Sequence, residues 1–265
     1  MKKIIIIMII LLYAFSFMAC ESGGLNSDSA NQLSLYEDYQ KAYNEYKNLS
    51  ALSLYAEYTV KGKADGEIYI DNETVIDTTQ IKAGEGMVGH TKQFTQFYEK
   101  NVYDEYIRRS SEQFYRDGYV YIEMSNVEKV KMEYPIQTKP ELDFIYLFDF
   151  DKSMIKEQSI QSDKYVFVLD EQKIRQEVLD KLSHFYIEIE SLENIDFHSI
   201  VFSVALENGD IAATSLRCMG TTNQNDRLLA IEFSADIRVK STEGLTIDFP
   251  EDLDLYQEIS LMPEE

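Results

Sequence analysis

Long runs of period-two alternation restrict what this chain can fold into. Leu52, Leu54, Ala56, Tyr58 and Val60 interleave with Ser53, Tyr55, Glu57, Thr59 and Lys61. Near the other end, Leu229, Ile231, Phe233, Ala235, Ile237 and Val239 alternate with mostly polar residues. Successive side chains of a strand point to opposite faces, so each run has one dry side and one wet side. A helix would scatter the same apolar residues around its circumference. Antiparallel sheets tolerate half-wetting, whereas parallel sheets are buried on both faces. The expected fold is α+β and mostly β: one curled antiparallel sheet with two or three helices packed on its concave side.

Shorter segments fill in that plan. Tyr36, Tyr39, Tyr43, Tyr46 and Leu49 fall three or four apart, which predicts a helix over 32–48 whose aromatic stripe packs into the core. Strands are expected at Glu67–Ile70, Thr74–Ile81, Lys92–Tyr98, Tyr103–Arg109, Glu112–Tyr115, Tyr119–Met124 and Val127–Glu133. Asp117-Gly118 and Asn208-Gly209 suit the positive φ angles of tight hairpin turns, the latter joining Phe197–Glu207 to Asp210–Met219. The middle reads as more helical and irregular. Pro140–Phe148 is strongly apolar and is a short helix or a lid, the pattern leaving both open. Lys164–Leu169 reads as a strand, after which Asp170 can N-cap a helix presenting Ile174, Val178, Leu182 and Phe185 on one face.

The opening residues address the chain to a membrane. Met1-Lys2-Lys3 places positive charge first, and Ile4 to Ala19 runs 16 residues without a charge. Phe17-Met18-Ala19-Cys20 then resembles a lipobox, the bacterial lipoprotein processing motif, with Ala19 and Cys20 matching and Phe17 and Met18 departing from its commonest residues. That resemblance implies a signal peptide over 1–19, lipid on Cys20, and anchorage to the extracytoplasmic face of a bacterial, Gram-positive cell membrane. An uncleaved anchor is the competing reading, but the run is short of the roughly 20 residues a spanning helix uses. Residues 21–31, Glu21 through Asn31, are small and polar and form a tether of at most about 35–40 Å when extended. What remains, 32–265, suits a single domain.

Charge and cysteine use exclude some functions. The chain carries −22, and losing Lys2 and Lys3 with residues 1–19 moves it to −24. Such an excess disfavours nucleic acid, which is bound by neutralising phosphates with Lys and Arg. Cys218, the second of two Cys, sits in the alternating run Ala212-Thr214-Leu216-Cys218, which predicts a buried strand residue and leaves no disulfide.

Chemical motifs are sparse. Gly84-Glu85-Gly86-Met87-Val88-Gly89 fits a dinucleotide pattern literally, but its surroundings are amphipathic strands and Glu85 would oppose phosphate, so it reads as a strand connection. His90, His184 and His198 lack metal-ligand spacing. Asp149 with Asp151, and Asp252 with Asp254, are acidic pairs without the further oxygens of a calcium loop. No nucleophile elbow occurs. The reading is therefore not an enzyme, with no cofactor and no metal.

The order of elements resembles the LolA-like lipoproteins, which include the mycobacterial LppX and LprG proteins. The likeness is carried by Cys20, the Tyr115-Arg116-Asp117-Gly118-Tyr119-Val120-Tyr121 hairpin, Asn208-Gly209-Asp210 and the closing Phe249-Pro250. It looks nearest the uncharacterised Gram-positive lipoproteins of that type. The resemblance implies an incomplete β-barrel whose helices fill its mouth over an apolar cavity holding a lipid or other amphiphile. No ligand-binding residue carries over from the family. The alternative is a non-catalytic envelope module whose Tyr-rich surface docks a protein or a cell-wall polymer.

Overall fold

In the computed structural model the tyrosine stripe lies on one helix, α1 (Asp28–Lys47). Tyr39, Ala42, Tyr43 and Tyr46 are buried on its inward side, while Glu37, Asp38, Lys41 and Glu45 face solvent. The structure describes residues 28–84, 86–100, 102–124, 129–133, 148–185, 194–224 and 227–259. Cys20, its leader and residues 21–27 of the tether, and residues 134–147 with most of the apolar Pro140–Phe148 segment, lie outside them, whereas 28–31, expected as tether, are the start of α1. Ser34–Glu265 is one compact unit; the other, Met1–Leu33, enters the description only as the start of α1.

The rest is dominated by strand, arranged as a large curled sheet that does not close. A first meander runs β1 (Ala51–Ala64), β2 (Glu67–Ala83), β3 (Gly86–Glu99), β4 (Ile107–Arg116), β5 (Tyr119–Met124) and β6 (Val130–Glu133). The second runs β7 (Ile155–Gln161), β8 (Lys164–Leu169), helix α2 (Glu171–Phe185), β9 (Asp196–Glu207), β10 (Asp210–Gln224) and β11 (Arg227–Ser241). Pairing of β1 with β11 joins them into the order β12-β6-β5-β4-β3-β2-β1-β11-β10-β9-β8-β7. Every pairing is antiparallel except that of the short β12 (Gln257–Glu258) with β6.

Register converts alternation into one dry face. Tyr58 pairs with Ala235 and Val60 with Phe233 across β1 and β11, and Leu216 pairs with Phe202 across β10 and β9. All are buried, together with Leu54, Ala56, Ile231 and Cys218. Burial pushes the Cys218 thiol well up, as expected for a structural cysteine. Both helices bury residues in this core, α1 through its tyrosines and α2 through Ile174 and Val178. The structure does not show them packing on the concave side of the sheet. Asp170 caps α2, its Oδ1 accepting the backbone N–H of Gln172 at 3.1 Å and of Lys173 at 3.3 Å.

Several strand expectations need correction. Glu67–Ile70 and Thr74–Ile81 are parts of one strand, β2, because the polar Asp71-Asn72-Glu73 still pairs with β1 and β3. The Tyr103–Arg109 strand begins only at Ile107, since 102–106 forms the turn out of β3, and it runs on through Glu112–Tyr115 as the single strand β4. The strand expected at Lys164–Leu169 is β8, but it is the second arm of a hairpin whose first arm, β7, lies where helical or irregular chain is expected. Its turn, Ser162-Asp163, holds φ of 48° and 62° without glycine, so no Asn-Gly or Asp-Gly signal advertised it. At Asn208-Gly209 the φ angles are 56° and 94°, the geometry that dipeptide favours. Gly209→Val should lower stability by about 1 kcal/mol or more, because a β-branched residue resists positive φ. An unchanged melting temperature would contradict this.

Candidate functional site

The dry face continues past β1, but its chemistry changes. From β1 outward the same face carries Thr74, Ile76, Thr78 and Gln80 on β2, then Thr91, Gln93, Thr95 and Phe97 on β3. On β4 it carries Ile107, Arg109, Ser111, Gln113 and Tyr115, and on β5 Val120, Ile122 and Met124. Between the Asn72–Phe97–Ile107 row and the Gln80–Gly89–Tyr115 row, Arg109 is the one charged residue on this face. The opposite face of the same strands carries Glu73, Asp77, Lys92, Arg108, Glu112 and Glu123. In a chain with 27% charged residues this segregation is selective.

The neutral polar groups are held in place. Thr74, Thr78 and Gln80 are 2%, 1% and 6% exposed, which makes them interior groups. Buried hydroxyls must be hydrogen-bonded. Thr78 and Thr91 meet at 2.7 Å, Thr74 and Thr95 at 3.3 Å, and Gln93 Nε2 donates to Thr95 Oγ1 at 3.3 Å. Thr91, Gln93, Thr95, Ser111 and Gln113 are only half-buried. They can offer donors and acceptors to a guest without the desolvation cost of a charge.

On the other side of β1 this face ends in an aromatic cluster. Tyr39 lies within 5.3–5.9 Å, between ring centroids, of Phe150, Phe167 and Phe202. Its hydroxyl donates to the carbonyl of Phe148, and that of Tyr36 to the carbonyl of Phe150 at 3.0 Å. Burial, with Asp149 opposite, pushes the Tyr43 hydroxyl up to about 12. Asp149 and Asp151 thus flank a strip that α1 holds by its tyrosines.

Other singled-out residues occupy structural places. His90 contacts Glu112 at 2.7 Å and stacks on Phe114 with centroids 4.5 Å apart. His198 is exposed on β9, strands away from His90; the His184 side chain lies outside the described residues. Asp252 and Glu123 both bond Lys129 at 2.9 Å, and Tyr256 donates to Glu123, pinning the C-terminal segment across β5 and β6. These contacts hold both carboxyls below their usual range. Asp254 is exposed beside them. Gly84 and Gly86 to Gly89 form the β2–β3 connection and the start of β3. No group of potential metal ligands occurs among the described residues, and no helix among them is long and apolar enough to cross a membrane.

A second feature, not anticipated from the sequence, is a hollow of about 190 Å³ on the opposite, wet face of β1, β11, β10 and β9. Tyr55, Glu57, Lys164, Asp236 and Arg238 surround it, and the small Ser203, Ala213 and Ser215 leave the space. Its charges are mixed and its mouth is open.

No family model and no curated protein matches this chain. Among solved structures it is similar to the S-type phycobiliprotein lyase CPES from Guillardia theta, at 11% identity and a TM-score of 0.25, covering 78% of this chain and 97% of that one. The ywiB protein from Bacillus subtilis aligns at 5% identity and a TM-score of 0.19, covering 75% and 99%. A β-barrel-like protein of a domain of unknown function from Brucella abortus aligns at 9% identity and a TM-score of 0.17, covering 73% and 100%. Superpositions this loose transfer neither ligand nor reaction.

Proposed function

We propose that this chain is a membrane-anchored extracytoplasmic lipoprotein of the LolA-like type, held by lipid on Cys20, that binds or carries a lipid or other amphiphile. It is read as non-catalytic. One observation carries the binding part of the proposal: a single sheet face passes from an aromatic, dry half to a neutral, hydrogen-bonding half in which, between the two rows named above, every charge but Arg109 is kept to the other side. Solvent-facing strands in so acidic a protein would carry carboxylates, and a filled core would be apolar throughout. A face with both characters matches a molecule that has both. In this reading the helices cover the concave side of the curl, the acyl chain lies toward Tyr39 and Phe202, and the polar head lies toward β3 and β4. The anchor comes from the leader and the Ala19-Cys20 junction.

The energetics are adequate. Burying some fifteen methylenes contributes about 12 kcal/mol. Losing translational and rotational freedom costs about 4 kcal/mol or more. The difference, about 8 kcal/mol, corresponds to roughly micromolar affinity. The full chain, purified from membranes under non-denaturing conditions and extracted into organic solvent, should yield a near-stoichiometric amphiphile by mass spectrometry. An extract empty of lipid, with no saturable uptake of added fatty acid, would end the carrier reading. The hollow beside Tyr55 and Arg238 would then favour an envelope interaction module.

A further inference from the structure

The neutral half of the face contains one charge, and its setting indicates what that charge is for. Arg109 lies on β4 directly across from Thr95, which meets Thr74 on β2. Its guanidinium sits 5.1 Å above the Phe97 ring. Among the described residues it has no ion pair or hydrogen bond, although the protein carries 47 acidic residues against 25 basic ones. Stacking on an aromatic face leaves the N–H edges of a guanidinium free and fixes its plane, which suits two-point contact with a carboxylate or phosphate. The neighbouring Ser111 adds a hydroxyl, and Thr95, whose hydroxyl is shared with Thr74 and Gln93, adds no opposing charge.

Resting on the amphiphile reading above, we propose that the ligand is anionic, and that Arg109 receives its carboxylate or phosphate head group while the chain runs toward β1. The charge pattern supports this over a neutral ligand. The acidic surface repels anions at long range, so an arginine with no ion pair among the described residues, on a stretch of face whose nearest carboxylate is Glu99 one row beyond Phe97, is the place where an anionic head is tolerated. Arg108, its neighbour on the other face, is instead bonded to Gln96 at 2.9 Å.

The test uses the full lipid-anchored chain in phosphatidylcholine nanodiscs, with a dansylated fatty acid as the fluorescent probe. Displacement is measured with oleate, oleyl phosphate and oleyl alcohol, which share a chain and differ in head. Wild type should prefer one or both anions over the alcohol by about tenfold or more, and the stronger anion identifies the head. Arg109→Gln should abolish that preference with oleyl alcohol affinity unchanged, and Arg109→Lys should restore part of it. Arg109 is exposed, so both variants should keep the wild-type melting temperature. Equal binding of all three compounds by wild type and Arg109→Gln would overturn the anion proposal and leave the amphiphile reading standing. Displacement by none of them would overturn both.

Discussion

Phe202→Ala is expected to lower stability by about 3–5 kcal/mol. Phe202 is 1% exposed and is where separate parts of the chain meet. Its ring lies 5.3 Å from Tyr39 of α1, 5.6 Å from Phe150, 5.8 Å from Phe148 and 6.4 Å from Phe167 of β8, between centroids. Truncation removes the transfer free energy of the ring. It also leaves a hole that rigid neighbours cannot close, because Tyr39 is held to the Phe148 carbonyl. Urea unfolding followed by circular dichroism measures the effect, and Phe202→Leu should recover much of it by restoring volume. A loss below 1 kcal/mol for Phe202→Ala would mean that the aromatic cluster is not tightly packed around this ring.

Adding one carbon should also be damaging if it is added at Gly220. A Cβ there would lie 2.7 Å from the Asp196 carbonyl oxygen and 2.8 Å from Ile195 Cγ2. The first contact is backbone, at the point where the β9–β10 register shifts between Met219 and Gly220. A side chain could rotate away; this strand cannot move without disturbing its pairing. Gly220→Ala should therefore cost about 1–3 kcal/mol, as overpacking does. Gly86→Ala is the control, since its nearest contact would be an ordinary 3.7 Å. Similar melting temperatures for the two variants would show that β9 and β10 are not so closely apposed.

Local signals were legible where they were strong and short-ranged. The tyrosine spacing of α1, the Asp170 cap and the Asn208-Gly209 turn each depend on residues within a few positions of one another. Strand β8 was legible at Lys164–Leu169, but its hairpin partner β7 was not, because the turn between them contains no glycine and Lys156-Glu157-Gln158-Ser159 does not alternate. The candidate site was less visible still. Thr74, Thr78, Thr91, Gln93 and Thr95 are polar residues at alternate positions, which on one strand looks like a solvent-facing side.

By itself, then, the sequence determined that the chain makes amphipathic antiparallel strands, where several of its hairpins turn, and that Cys218 and the α1 tyrosines go inside. Period-two alternation and turn chemistry are encoded in neighbouring residues. Only the tertiary structure decided that β1 joins β11, that Tyr58, Thr74, Thr95 and Arg109 share one row, and that between the Asn72–Phe97–Ile107 and Gln80–Gly89–Tyr115 rows Arg109 is the one charge on that face. Those facts depend on register between strands up to 188 positions apart, as in Ser53 with Ser241, and a slip of one residue would turn every side chain to the other face. Alternation says that a strand has two faces; the partner across the sheet says which of them is inside.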